Sequence, residues 1–164
     1  MADPARVRVH ELTAHEVPLM HGLLTLFDEA FQDPETYTSN RPSRAYLERL
    51  LGTDSFVALA ALDGDAVVGG LVAYEFVKFE QERSEFYIYD LAVAASHRRQ
   101  GIATTLIEAM RTIAANRGAY VVFIQADADN APAIATYARL GIREDAAHFD
   151  IPVAPSASLS DSAA

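Results

Sequence analysis

The chain has no cysteine. Disulfides, thiol nucleophiles and Cys-based zinc sites are thereby excluded. Basic residues are scarce: 13 Lys and Arg stand against 23 Asp and Glu, for a net charge of −10, and the single lysine is Lys78. A nucleic-acid binder needs an excess of cations to neutralise phosphates, so DNA and RNA are not expected partners. No apolar run is long enough to span a bilayer, and no membrane partner is expected. The N-terminus lacks the basic stretch and apolar run of a secretory signal, which favours a cytoplasmic protein. The nucleotide signatures Gly-x-x-x-x-Gly-Lys-Ser/Thr and Gly-x-Gly-x-x-Gly are missing, as is the hydrolase elbow Gly-x-Ser-x-Gly. His10, His15, His21, His97 and His148 show no metal-ligand spacing, and no metal is expected.

What is present is one domain's worth of chain. The 164 residues are 51% hydrophobic and 22% charged, enough apolar matter for a sizeable core. Val7 to Leu12 reads as a strand. Ala14 to Phe31 carries Leu19, Leu23, Leu26, Phe27 and Phe31 at helical spacing, with Thr13 and Glu16 placed as a capping box. Residues 33–42 read as a loop, and Ser43 as the cap of a second helix through Leu51. Ser55 to Leu62 and Ala66 to Lys78 read as strands joined by the turn Asp63-Gly64-Asp65. Glu85 to Val93 is a third strand of that run. Ile102 to Arg117 reads as an amphipathic helix stopped by Gly118. Ala119 to Ala126 is a strand, and Asn130 with Pro132 opens a helix to about Leu140. Ile142 to Ile151 is expected to hold one or two closing strands. The domain is set at 1–152, and 153–164, rich in Ser and Ala, reads as a disordered tail. The order is β-α-α-β-β-β-α-β-α-β, an α/β (α+β) arrangement with an antiparallel meander at its centre.

The sharpest chemical feature is Arg98-Arg99-Gln100-Gly101-Ile102-Ala103, between a strand and a helix. N–H groups at a helix start are unsatisfied and, with the helix dipole, attract an anion. Gly101 lets that anion approach the backbone, and two arginines add charge to an otherwise acidic chain. A pyrophosphate is the natural occupant.

This segment resembles the Gln/Arg-x-x-Gly-x-Gly/Ala signature of the GNAT superfamily of acetyl-coenzyme A-dependent N-acetyltransferases. Element order agrees over roughly residues 5 to 151, as does Asn130, Tyr137 and Leu140-Gly141-Ile142. Ala103 stands where many members have Gly, a common variant. The resemblance implies a mixed central sheet of about six to seven strands flanked by about four helices. A narrower resemblance, to aminoglycoside 3-N-acetyltransferases of the gentamicin-resistance type, rests on four runs. They are Phe79 to Glu85, Tyr87 to Val93, His97 to Thr104 and His148 to Ile151. It implies acetyl transfer to the 3-amino group of the 2-deoxystreptamine ring, and a homodimer.

Carried over position by position, the resemblance implies that Leu91, Ala92 and Val93 meet the thioester and pantetheine arm through their backbone, with the N–H near Leu91 polarising the acyl carbonyl. Arg98, Arg99, Gln100, Gly101, Ile102, Ala103 and Thr104 would hold the diphosphate. Tyr137 would protonate the departing thiolate. Asn130 either caps its helix or touches the pantetheine arm. A base must take a proton from the substrate ammonium. Period two sets Glu85, Tyr87, Tyr89 and Leu91 on one strand face and Asp90 on the other, and a bulge would re-aim Asp90. Asp90 ranks first as base and Glu85 second. Glu80, Glu82, Tyr89, Asp127 and Asp150 are the candidate substrate contacts, since a polycationic sugar suits charge-assisted bonds to carboxylates. The alternatives are a GNAT enzyme for another amine, such as a polyamine or a peptide N-terminus, and a non-catalytic acyl-coenzyme A binding module.

Overall fold

The computed structural model describes residues 6–155. The chain divides into two compact units, Met1–Asp127 and Ala128–Ala164. The first unit holds a five-stranded sheet in the order β1 (Val7–Glu11), β2 (Phe56–Asp63), β3 (Ala66–Val77), β4 (Ser84–Val93), β5 (Ala119–Ile124). The first three pairings are antiparallel; β4 and β5 run parallel. A parallel neighbour needs a crossover, and helix α4 (Ile102–Asn116) supplies it. Before the meander come α1 (Val17–Phe31), the single turn α2 (Pro34–Tyr37) and α3 (Arg44–Leu51).

Two adjacent glycines on β3 show how the layers close. A Cβ on Gly70 would lie 2.2 Å from Leu23 of α1, and one on Gly69 would lie 2.9 Å from Ile102 of α4. Successive strand residues point to opposite faces, so α1 covers one face and α4 the other. Leu23 and Phe27 of α1, Leu59 and Leu71 of the sheet, and Leu106 and Met110 of α4 are among the fully buried side chains. Each contributes about 1.5–3 kcal/mol of burial free energy.

Several expectations are corrected. Thr13 does not cap α1, which starts at Val17 with no side-chain cap; Glu16 still reaches back, accepting from the Thr13 N–H at 2.7 Å, and lies 2.7 Å from His10 Nε2. The expected loop 33–42 contains α2, because Asp33 accepts from the Thr36 N–H at 3.1 Å and Pro34 fits a first turn. Ser43 caps α3 as expected, accepting from the Tyr46 N–H at 3.2 Å.

The second unit contains α5 (Ala131–Ala138). No closing strand forms among the described residues 142–155, so the sheet has five strands rather than six to seven, and five helices stand where about four were expected. The segment expected to close the sheet, Ile142 to Ile151, pairs with no strand among the described residues, and Ile142, Phe149 and Ile151, with Val153, are exposed. Alternation without a neighbouring strand does not make a sheet. Of the expected tail, 156–164 lies outside the described residues, and 153–155 has neither helix nor strand.

Candidate active site

The strand β4 changes character halfway along. From Ser84 to Ile88 it is paired on both sides, with β3 and with β5. The pairing with β5 ends at Ile88↔Ile124, while the pairing with β3 runs on to Val93. One backbone edge of Tyr89 to Val93 is therefore open. Such an edge can receive an extended amide chain as an added strand.

The register also shifts there. Ile88 opposes Ala73, but Asp90 opposes Val72, leaving Tyr89 as the extra residue of a bulge. Strict alternation would put Asp90 on the side of Phe86 and Ile88. The bulge turns it to the α1 side instead, level with Val72. There the Tyr37 hydroxyl donates to Asp90 Oδ2 at 2.9 Å. Burial pushes the Asp90 carboxyl above the usual carboxylate range, partly offset by that hydrogen bond. No Lys, Arg or His among the described residues forms an ion pair with it.

Aromatic rings extend from Asp90 across this face. Tyr89, 60% exposed, meets Tyr74 edge-on at 5.9 Å and Tyr87 at 5.6 Å. Tyr87 stacks on Phe123 at 4.8 Å and donates its hydroxyl to Gln125 Oε1 at 3.0 Å.

Beyond Val93 the chain makes a short 3-10 turn, Ala95–His97, and enters α4. Arg99 has φ 61° and Gly101 φ 80°, both left-handed. Alternating hands turn successive N–H groups into one concavity, an anion nest. The α4 start has no side-chain cap, and the place of a Cβ on Gly101 is open space. Free N–H donors, a missing side chain and two arginines fit a diphosphate. Among the cofactor residues, Ile102 and Ala92 bury their side chains, so any cofactor contact is through their backbone. The Arg98 Nε donates to the Val93 carbonyl at 3.2 Å, fastening the nest to the end of β4. Leu91, Ala92, Val93 and the nest from Arg98 to Thr104 are thus consecutive parts of one path.

On the same unit, Glu85, Glu80 and Glu82 lie away from Asp90. Glu85 accepts from Tyr120 Oη at 2.8 Å and lies 3.4 Å from Lys78 Nζ. Five residues of strand, about 16 Å, separate it from Asp90. Glu80 and Glu82 line a cavity of about 680 Å³ at the β3–β4 tip, with Lys78, Arg83 and Arg117. The tip lies about 20 Å along β4 from Asp90, and the structure does not bring the two together. The Glu80 carboxyl is held below its usual range by a hydrogen bond from its own N–H and by Lys78. Asp127 is exposed beyond β5. In the second unit Asn130 caps α5, accepting from the Ala133 N–H at 3.3 Å; Tyr137 lies on α5 with its phenol pushed up by burial; Asp150 is exposed, 3.0 Å from His148. Among the described residues no group of His, Cys, Asp and Glu side chains could hold a metal ion.

The sequence reading missed Tyr37. The signal for it is Asp33-Pro34-Glu35-Thr36, which carries the cap and first turn of a helix that ends on Tyr37.

An open strand edge leading into an anion nest suits an extended amide arm that ends in a diphosphate. Residues 20–142 match the acetyltransferase (GNAT) family, and the chain belongs to that family. The class that the fold and the site define is thus the GNAT acetyltransferases. The chain is 34% identical over 84 residues to N-alpha-acetyltransferase 30 of Schizosaccharomyces pombe, a match that takes in 51% of this chain and 55% of that one. The chain therefore spans about half the length of that curated relative. Among solved structures it is 61% identical to an aminoglycoside acetyltransferase, HMB0005, from an uncultured soil metagenomic sample, with a TM-score of 0.89 over 90% of this chain and 99% of that one. A second soil metagenomic aminoglycoside acetyltransferase, meta-AAC0020 in complex with sisomicin, is 29% identical, with a TM-score of 0.84 over 92% and 98% of the two chains.

Proposed function

We propose that this protein transfers an acetyl group from acetyl-coenzyme A to an aminoglycoside, at the 3-amino group of the 2-deoxystreptamine ring. The observation that carries the reading is Asp90: a half-buried carboxylate without a cation, re-aimed by a bulge beside the open edge of β4. Its likeness to two aminoglycoside acetyltransferases supports the substrate class. Bound acetyl-coenzyme A supplies the activated acyl group. The nest at Arg98 to Thr104 holds the diphosphate, and the open edge from Leu91 to Val93 holds the arm. The Leu91 N–H polarises the carbonyl. Asp90 takes the proton from the substrate ammonium, and its raised pKa brings it nearer neutrality, where a general base works best. Tyr89 and Asp127 contact the sugar. The 1–152 span acts as one acetyltransferase domain, since the family match crosses from one unit into the other. We place the enzyme in the cytoplasm, where acetyl-coenzyme A is supplied, as a homodimer conferring aminoglycoside resistance.

The match to an N-alpha-acetyltransferase favours a peptide N-terminus as a second reading. Thiol release with gentamicin, spermidine and a short peptide separates the two. The proposal expects turnover with gentamicin and a product whose NMR spectrum places the acetyl on N3. Acetylation at another amine overturns the position, and turnover with the peptide alone overturns the substrate class.

A further inference from the structure

Tyr37 and Asp90 are 53 residues apart in sequence, yet their side chains share a hydrogen bond of 2.9 Å. The tyrosine is held from several sides. Asp33 caps the single turn α2 on which it sits. Thr38, just after it, donates its hydroxyl to Asp28 Oδ2 on α1 at 2.6 Å. The Tyr37 ring packs against Phe27 at 5.8 Å and Phe31 at 5.7 Å. Those ring contacts would be satisfied by phenylalanine. The hydroxyl adds one thing, a donor aimed at Asp90.

That donor shapes what the carboxylate can do. With Oδ2 taken, Oδ1 has no hydrogen-bond partner among the described residues. A buried carboxylate free to rotate would spread its proton affinity over two oxygens and several rotamers. One fixed by a packed phenol offers a single oxygen in a single direction. We propose that Tyr37 is a positioning residue for the reaction: its hydroxyl fixes Asp90 so that Oδ1 meets the ammonium of the amino sugar. The proposal rests on the reading of Asp90 as the base. The ionisable groups facing this carboxylate are Tyr37 from α2, Tyr74 from β3 and Tyr87 from β4, with Tyr89 against Tyr74 and Tyr87, Asp33 behind Tyr37 and Tyr46 of α3 behind Tyr74. All are phenols or acids, so Tyr37 is the donor that counters burial at Asp90.

The test compares Tyr37→Phe, Asp90→Asn and the double variant, using gentamicin and saturating acetyl-coenzyme A across a pH series. A phenol donating to a carboxylate holds its pKa down, so its removal raises it. Tyr37→Phe should lower kcat about tenfold, the scale of one hydrogen bond to a charged group, with little change in KM. The acid limb of its kcat/KM profile should move up by about one pH unit. In the Asp90→Asn background, Tyr37→Phe should cost nothing further, because the two act as a unit. A structural role would instead give additive losses and an unmoved limb, and would overturn the proposal. If Asp90→Asn itself kept wild-type turnover, the reading of Asp90 as base would fail, a separate result. Asp33→Ala is the second variant, loosening α2 while keeping the hydroxyl. It should move the limb in the same direction by a smaller amount, and an unmoved limb there also counts against the proposal.

Discussion

The two ends of β4 belong to one strand, and the fold treats their carboxylates in opposite ways. At the first end Glu85 has β3 on one side and β5 on the other, and its charge meets Lys78 and the Tyr120 hydroxyl. On β3, Glu75, which opposes Phe86, lies 3.4 Å from Arg117. At the second end Asp90 has no cation, only a phenol, and one strand edge is open. A carboxylate with a cation beside it is explained by the fold. One kept half-buried without a cation disfavours its own charged form, and such groups concentrate where a raised pKa is used. The difference separates the acids that hold the hairpin together from the acid proposed here as the base, which charge counting cannot do.

The contrast can be broken at the second end first. Gly101→Glu should abolish coenzyme A binding in a calorimetric titration, a loss of about a hundredfold or more. It forces a side chain onto a left-handed residue and sets a carboxylate where the nest accepts an anion. Unchanged affinity would remove the nest from the site. A smaller effect is expected for Arg99→Gly. It removes a cation from the nest but relieves a left-handed non-glycine backbone, so coenzyme A affinity should fall several-fold while stability stays within about 1 kcal/mol. A large loss in melting temperature would show that the arginine is structural. At the first end, Glu85→Gln should leave turnover within about twofold and cost on the order of 1–3 kcal/mol of stability, since this carboxylate is only 18% exposed and is held by Lys78 and the Tyr120 hydroxyl. Turnover as low as that of Asp90→Asn would erase the distinction between the two ends.

Much of this was legible in the sequence because it depends on local signals. The anion turn showed in Arg98 to Ala103, where two arginines and a glycine sit between a strand pattern and a helix pattern. Asp90 stood out because it interrupts an apolar strand, and the shift of Ile88 and Asp90 against β3 gives the bulge a place. What was not legible depends on distant partners. The contact of Tyr37 with Asp90 needs α1 to seat the tyrosine, and neither residue's neighbours in sequence indicate the other. Glu85 stands second to Asp90 as a candidate base in the sequence, and only the structure shows Lys78 and Tyr120 occupying it. Closing strands were expected between Ile142 and Ile151, but a strand needs a partner edge, and none pairs with that segment among the described residues.

The central claim is that Asp90 is a base kept at some cost to the fold. Its pKa is raised in the folded state, so its contribution to stability is present below the ordinary carboxylate value and is lost as pH rises through the folded value. Near neutral pH, Asp90→Asn should therefore melt at the same temperature as the wild type or higher, since the amide still accepts from Tyr37. The direct measurement is kcat/KM for gentamicin set beside the melting temperature of that variant. The account predicts a fall of about 10²–10⁴ in rate without loss of stability. A wild-type rate, or a rate that falls only as far as the protein unfolds, would contradict it.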